Sequence, residues 1–224
     1  MIRFLLLLAT MLLSSLLSAA SLNPGILASS GFLEAHPDVH WRVLAMQRYR
    51  KGNYTEALDL FRRASRYADK SAQGMVAEML WQGKGAPADR ALAYAWMDLA
   101  AERAYPQLAM WRERYWQQLA PDEQRRALTV GKAVYAEYRD SVAKPRLENK
   151  LRLARLDILG WMDGADVLLP AANGNIGIAG QHDRVYNQHY YDPNYWDPKL
   201  YWKRIDNEWK AAVTVGSVSE KPLP

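Results

Sequence analysis

The four histidines are the side chains of this sequence that could most readily take part in metal or acid–base chemistry. His36 and His40 lie four positions apart, but Pro37 between them argues against a regular helix there, and no glutamate completes the HExxH pattern of zinc proteases. The chain has no cysteine, which excludes disulfides, thiolate metal sites and cysteine nucleophiles. The sequence therefore gives no indication of a metal ion or another cofactor.

The other two histidines each have a carboxylate nearby. His182 precedes Asp183, and His189 lies three positions before Asp192, so either pair could act as a base with an orienting acid. No GxSxG motif supplies a nucleophile, and residues 174–180 follow neither the GxGxxG nor the GxxxxGK[ST] order of phosphate loops. We therefore expect no enzymatic activity, and a hydrolase ranks third among the functions considered.

The amino terminus is typical of an export signal. Arg3 carries a positive charge, residues 4–17 form a leucine-rich apolar run, and residues 18–20 offer the small side chains that signal peptidase requires. A retained membrane anchor is the alternative, but the run is shorter than the ~20 residues that cross a bilayer. We expect cleavage near Ala20, no stable membrane span afterwards, and export to the periplasm if the host is Gram-negative.

Composition and charge are those of a folded globular chain. Half of the residues are hydrophobic and 24% are charged. The net charge of +5 falls by one without Arg3, and acids and bases alternate along the whole chain. This pattern, together with export, predicts no nucleic-acid partner.

Residues 40 to about 140 are typical of consecutive helices that glycine turns separate. In the first unit a turn glycine is followed by small and aromatic residues three or four positions apart: Gly52, Tyr54, Ala57, Phe61 and Ala64. This spacing places the side chains on one helix face, and the alanines let a neighbouring helix approach. The unit resembles the helix-turn-helix pattern of the tetratricopeptide repeat.

The next unit carries a longer motif, whose eight matching positions are Ala72, Gly83, Gly85, Asp89, Ala93, Trp96, Ala100 and Ala101. In order and spacing these positions resemble the Sel-one-like repeat, a longer-turned relative of the tetratricopeptide repeat. The physics agrees with the resemblance, because Gly83 and Gly85 permit a positive φ in the turn and Asp89 suits a helix amino terminus. We expect Trp96 to fill the space between units.

A third helix pair is predicted at about residues 107–119 and 121–140. It lacks the double-glycine turn and has a charged outer face, so we interpret it as the capping unit that a stack of repeats needs. The first unit would cap the other end.

The resemblance implies a short right-handed superhelix whose inner helices present a groove to a partner, since proteins with these repeats generally act as protein-interaction scaffolds. The candidate groove residues lie on the first helix of each pair and are chosen by position alone: Arg48, Tyr49, Glu78, Trp81, Trp111 and Tyr115. The partner would be another envelope protein or a peptide segment.

Beyond residue 140 the resemblance ends. Pro145 predicts a helix break after Lys144, and residues 146–161 predict an amphipathic helix. Its polar face is basic, with Arg146, Lys150, Arg152 and Arg155. This face is either a solvated surface or a site for an anion or an acidic partner.

The last part of the chain combines short β-prone runs with clustered aromatics. Residues 167–169 and 176–178 predict a hairpin, and residues 213–215 predict a third strand. Asp192-Pro193 and Asp197-Pro198 indicate two short turns whose aromatics pack onto the helices. The alternative is a solvent-facing platform for a glycan or a peptide, formed by Tyr195, Trp196, Tyr201 and Trp202.

The sequence thus predicts a mainly α fold in four parts. A signal peptide (1–20) and a linker (21–38) precede a short α-solenoid of about three antiparallel helix hairpins (39–140). An α+β, aromatic-rich extension follows (141–224). The expected function is a non-enzymatic protein-interaction scaffold of the periplasm, and binding of a peptidoglycan-type envelope glycan by the carboxy-terminal tyrosines and tryptophans is the alternative.

Overall fold

The structure, a computed structural model, describes residues 30–162, 169–170, 176–177 and 192–216. These residues are mainly helical, as predicted. The helices are α1 (Ser30–Ala35), α2 (Pro37–Arg50), α3 (Tyr54–Ser65), α4 (Lys70–Gln82), α5 (Arg90–Ala100), α6 (Pro106–Gln118), α7 (Pro121–Tyr138), α8 (Asp140–Met162), α9 (Pro193–Trp196) and α10 (Pro198–Gly216). Two short strands, β1 (Leu169–Pro170) and β2 (Ile176–Gly177), pair antiparallel. The signal peptide predicted for residues 1–20 lies outside the described residues.

The first two helix pairs pack across short turns, α2 against α3 and α4 against α5. An aspartate begins each helix of the second pair. Asp69 accepts the backbone N–H of Ala72 at 2.8 Å, and Asp89 accepts that of Leu92 at 2.9 Å. Each carboxylate satisfies an N–H that has no partner within the helix and opposes the positive end of the helix dipole, which fixes where the helix starts.

The turn between α4 and α5 requires its two glycines. Gly83 ends α4 with φ +70°. Gly85 has φ +85°, and a Cβ there would lie 2.4 Å from the carbonyl oxygen of Tyr54. The turn of the second pair therefore rests directly on the backbone at the start of α3, at a separation that only glycine permits.

The core is continuous through these pairs and contains the small residues of the sequence motif. The buried motif residues are Ala57, Phe61, Ala64, Ala72, Ala93, Trp96, Ala100 and Ala101. The Trp96 ring lies 4.6 Å from the Tyr138 ring, centroid to centroid, and so connects α5 with α7.

Helices α6 and α7 form at the predicted places, but they do not make a third hairpin of the same kind. The extensive contacts of α7 are with α5 rather than with α6. Gly131 of α7 approaches Ala95 of α5 closely, because a Cβ on Gly131 would lie 3.7 Å from the Ala95 Cβ. The Tyr135 hydroxyl donates to Asp98 at 3.1 Å across the same interface. The chain pattern located these helices correctly, but the expected pairing of α6 with α7 was wrong.

Residues 30–38, predicted to end a linker, are mostly helical instead, and Phe32, Ala35 and residues 36–38 are buried. Phe32 and His36 are fully buried and stack on each other at 3.8 Å between ring centroids. The Trp196 ring meets Phe32 edge-on at 6.1 Å. The linker prediction was wrong here because the partner that buries these residues lies more than 150 positions away.

Helix α8 begins earlier than predicted and contains Pro145. The break falls at Arg139, whose ψ of 156° is extended. The Glu102 carboxylate then accepts the backbone N–H of Asp140 at 2.9 Å and starts the new helix. Proline near a helix start removes one backbone hydrogen bond, and packing of the following helix tolerates that loss.

Residues 198–216 form a long helix, with no strand at residues 213–215. Asp197 accepts the backbone N–H groups of Lys199 and Leu200 at 3.0 and 3.2 Å and so caps α10. The helix runs to Gly216, so the strand predicted at residues 213–215 was wrong, as was the second short turn. Buried Trp209 stacks on Tyr105 at 4.8 Å, and such tertiary packing overrides the β preference of the last residues.

An ion cluster lies between α4, the 3₁₀ turn Ala101–Arg103 and α8. The fully buried ammonium of Lys70 lies 2.9 Å from Glu102 and 3.0 Å from Asp140, and Arg103 donates to Asp140 at 2.6 Å. Burial raises the pKa of Asp140, but hydrogen bonds from Arg103 and Lys70 outweigh it and hold the pKa well below its ordinary value. Asp140 therefore stays ionised beside Arg103 and Lys70.

In the part of the chain that the structure describes, no helix combines the length and the apolar character that crossing a membrane would require.

Candidate functional site

The predicted groove residues lie near the carboxyl ends of α2, α4 and α6, and those of α4 and α6 are in contact. The Trp81 and Tyr115 rings stack with centroids 4.1 Å apart, and Trp111 meets Tyr115 edge-on at 6.3 Å. The predicted positions on α4 and α6 are thus in contact with one another.

Three of the six groove residues are buried, so they do not face a partner as predicted. Glu78 is 7%, Trp111 6% and Tyr115 2% exposed. The Tyr115 hydroxyl donates to Glu78 at 2.6 Å, and burial raises the pKa of Glu78. These side chains hold α4 and α6 together, because the two helices pack on the face that was expected to remain open.

The other three groove residues, Arg48, Tyr49 and Trp81, remain accessible, and the two aromatics contact cations that sequence reasoning missed. Lys84, in the turn between the two glycines, donates to the Tyr49 hydroxyl at 2.8 Å and lies 5.1 Å from the Tyr49 ring centroid. Arg90, directly after the Asp89 cap, has its guanidinium 4.6 Å from the Trp81 ring centroid. The only sequence signal for either cation is its place beside a motif residue.

We name these five half-buried residues the turn-side patch: Arg48, Tyr49, Trp81, Lys84 and Arg90. Arg48 also forms an ion pair with Glu56 at 2.7 Å. Each cation is held against an aromatic ring or a carboxylate, so the side chains are ordered before any partner arrives. The patch thus contains two cation–aromatic pairs, Lys84 with Tyr49 and Arg90 with Trp81, which lie on either side of the turn that Gly83 begins. Aromatic rings and arginine are typical of protein-binding hot spots.

The four aromatics predicted as a glycan platform do not form one. Trp196 is 4% exposed and Tyr201 is fully buried. Trp202 is half-buried, and its indole N–H donates to Glu148 at 2.8 Å. The centroid of its ring lies 4.8 Å from the guanidinium of Arg103 and 5.0 Å from the ammonium of Lys144. Trp196 and Tyr201 thus follow the packing interpretation rather than the platform alternative, because Phe32 and His36 cover Trp196 and α8 covers Tyr201.

Tyr195, the fourth member, belongs to a polar contact between the carboxy-terminal helices and α1–α2. The ring nitrogens of His36 lie 2.8 Å from the carbonyl oxygens of Phe32 and Tyr195, and burial lowers the pKa of His36 to about 4. The Tyr201 hydroxyl donates to Asp38 at 2.5 Å, and burial raises the pKa of Asp38 to about 6. Both shifted groups are buried, and their hydrogen bonds connect the carboxy-terminal helices to α1 and α2.

The described residues contain no group of three or more histidine, cysteine or carboxylate side chains that could hold a metal ion. His36 is occupied by backbone carbonyls, and His40 stacks on Trp41 with the ring centroids 4.8 Å apart. His182, Asp183 and His189, the candidates for acid–base chemistry, lie outside the described residues.

No protein-family model, no curated protein and no solved structure matches this chain.

Proposed function

We propose that this protein is a non-enzymatic scaffold of the cell envelope, built on Sel-one-like and tetratricopeptide-type repeats, that holds a peptide segment of another envelope protein on the turn-side patch. The export signal predicted at residues 1–20 supports the location, periplasmic in a Gram-negative host. The proposed repeats would stack as a short α-solenoid with an α+β extension.

The geometry of the second turn supports the repeat assignment. Gly83 and Gly85 both have positive φ, and Gly85 lies against the Tyr54 backbone of the preceding pair. A turn that fits the backbone of its neighbour is what a stack of helix hairpins needs, since each repeat of a solenoid is stabilised by contact with the next.

The single observation that carries the proposal is the turn-side patch itself. Tyrosine and tryptophan supply large contact areas while losing little side-chain entropy, which makes them common anchors for polypeptides. An ammonium has three N–H donors, and Tyr49 accepts one from Lys84. Lys84 can therefore pair with a carboxylate of the bound segment while the aromatic rings pack against its side chains.

The test is site-specific crosslinking in the envelope of the host cell. A photo-crosslinking amino acid replaces Tyr49 in one variant and Leu128, which is 62% exposed on α7, in the control. We expect one discrete polypeptide adduct from position 49 and none from position 128. Adducts of equal intensity from both positions, or none from position 49, contradict the proposal.

A second change separates binding from folding. Lys84→Glu reverses one charge of the patch in a turn and leaves the core unchanged, so the helical circular dichroism signal should stay the same while the adduct from position 49 is lost. A truncation after Asp140 would be a poor substitute, because it removes buried Tyr201 and Trp209.

Sedimentation with purified cell wall, run in parallel, tests the glycan alternative, and adduct formation without sedimentation favours the scaffold.

A further inference from the structure

The side of α8 that faces away from the core carries exposed leucines. Leu147 and Leu151 are fully buried, whereas Leu153 and Leu156 are 46% and 55% exposed. With 3.6 residues per turn, the second pair points to the side of the helix opposite the first. Helix α8 is therefore apolar on two faces, and the described elements cover only the inner one.

Cations flank the exposed leucines on both sides, and one acidic residue, Asp157, lies on the same side as Lys150. Lys150 lies about a quarter-turn to one side of the leucine face, and Arg152 lies about the same angle to the other side. Both are exposed. Arg155, farther round on the side of Arg152, forms an ion pair with Asp197 at 3.1 Å. We call Lys150, Arg152, Leu153 and Leu156 the outer face of α8.

This arrangement matches a lipid surface better than an acidic protein. A helix that lies in a membrane interface places its central apolar side chains deepest, and long basic side chains on either side reach back to the phosphates. Leu153 and Leu156 lie on the side of α8 that the described elements leave uncovered, so a deformable surface can close around them. An acidic protein would instead need a groove shaped to receive the two leucines.

We infer that the outer face of α8 docks this protein on an anionic phospholipid surface. Leu153 and Leu156 enter the boundary between headgroups and acyl chains, while Lys150 and Arg152 pair with lipid phosphates. Binding is peripheral and reversible, because two leucines and two cations bury little area. The inference does not depend on the turn-side patch, which belongs to other helices.

The test is co-sedimentation with vesicles of phosphatidylcholine mixed with phosphatidylglycerol, compared with pure phosphatidylcholine. The protein used begins at Ser21, because the apolar run at residues 4–17 would bind lipid by itself, and this form keeps every described residue. We expect binding to the anionic vesicles only. Raising the salt from ~0.1 M to ~1 M should release the protein, because the Debye length falls to ~3 Å and the attraction between the cations and the lipid phosphates is screened.

Two variants and two controls identify the face. Arg152→Glu should lower the partition coefficient on the order of 25-fold, since each cation near an anionic surface contributes about fivefold. Leu153→Ser should lower it about fivefold. Arg125→Glu and Leu128→Ser change exposed residues of the same types on α7 and should have no effect on partition.

Equal binding to both kinds of vesicle would overturn the inference, as would unchanged binding of Arg152→Glu or an equal loss in the α7 controls. Absence of binding to either vesicle would also overturn it and would leave an acidic protein as the partner of this face. These variants concern exposed side chains, so circular dichroism spectra identical to those of the parent protein are expected throughout.

Discussion

A single added methyl group at Gly85 should disrupt the joint between the first two helix pairs. The Cβ of Gly85→Ala would lie 2.4 Å from the carbonyl oxygen and 2.7 Å from the carbonyl carbon of Tyr54. Both atoms belong to the backbone at the start of α3, so no side-chain rotation can relieve the contact. Gly52 offers the matched comparison, because its φ of +80° is similar and a Cβ there meets nothing within 4 Å.

The magnitude follows from separating two costs. Placing alanine at positive φ costs ~1 kcal/mol at either position. Gly85→Ala adds an overpacking cost of ~2 kcal/mol, since helices must shift to make room. We therefore expect the free energy of unfolding to fall by ~1 kcal/mol in Gly52→Ala and by ~3 kcal/mol in Gly85→Ala. In a chain of this size the difference corresponds to roughly 4–8 °C in Tm.

Urea unfolding followed by tryptophan fluorescence measures both variants, because the nine tryptophans report on packing throughout the chain. Gly83→Ala is a further control, since its φ is +70° and its nearest contacts, at 3.4 Å, are ordinary. It should behave like Gly52→Ala. If Gly85→Ala is no more destabilising than Gly52→Ala, the close approach to Tyr54 does not exist in solution and the reasoning fails.

Three further predictions concern the buried groups. Burial raises the pKa of Asp38 from 3.8 to about 6, so folding becomes less favourable as this carboxyl ionises. Relative to Asp38→Asn, the free energy of unfolding of the wild type should fall by up to ~3 kcal/mol as the pH rises from 4 to above 6. Urea unfolding at several pH values measures this difference. Lys70→Met should cost ~3 kcal/mol at pH 7, because it leaves Asp140 without one of its buried cations, as denaturant titration will show. Trp209→Ala should lower the free energy of unfolding by ~3 kcal/mol, since Trp209 stacks on Tyr105 in the main core. The variant should still unfold in one cooperative thermal transition, with a lower midpoint.

Specific outcomes would contradict each of these. A stability difference between wild type and Asp38→Asn that does not change with pH would mean that the carboxyl is not buried. If Lys70→Met left the free energy of unfolding unchanged, the ion cluster would have to be open to water. Two separate thermal transitions, with only one of them affected by Trp209→Ala, would mean that α10 belongs to an independent unit.

The sequence allowed correct predictions where the physical cause is local. A positive φ at Gly83 and Gly85 is a property of the turn itself, and a carboxylate at Asp89 caps the helix that follows it directly. Asp192 and Asp197 were recognised as starting elements for the same reason, because each accepts an N–H within three positions. Such features depend on neighbours along the chain, so a single sequence contains them.

Predictions failed where the cause is a distant partner. Nothing near Phe32 in the chain reveals that Trp196 covers it, and so the sequence alone predicts a linker where the structure has a helix with a buried side. Nothing near Glu78 and Tyr115 reveals that they bond to each other, and so two buried residues were placed in an open groove. Both errors concern which helix faces which, information that lies in shape and area rather than in spacing.

The contact between Gly85 and Tyr54 restricts the amino acid at position 85 but not the amino acid at position 54. The joint meets the carbonyl of residue 54, and every amino acid carries the same carbonyl, so a substitution at position 54 changes ring packing but leaves the joint intact. Position 85 accepts one amino acid. The contact therefore restricts the sequence of the turn and leaves the identity of residue 54 to the packing of its ring.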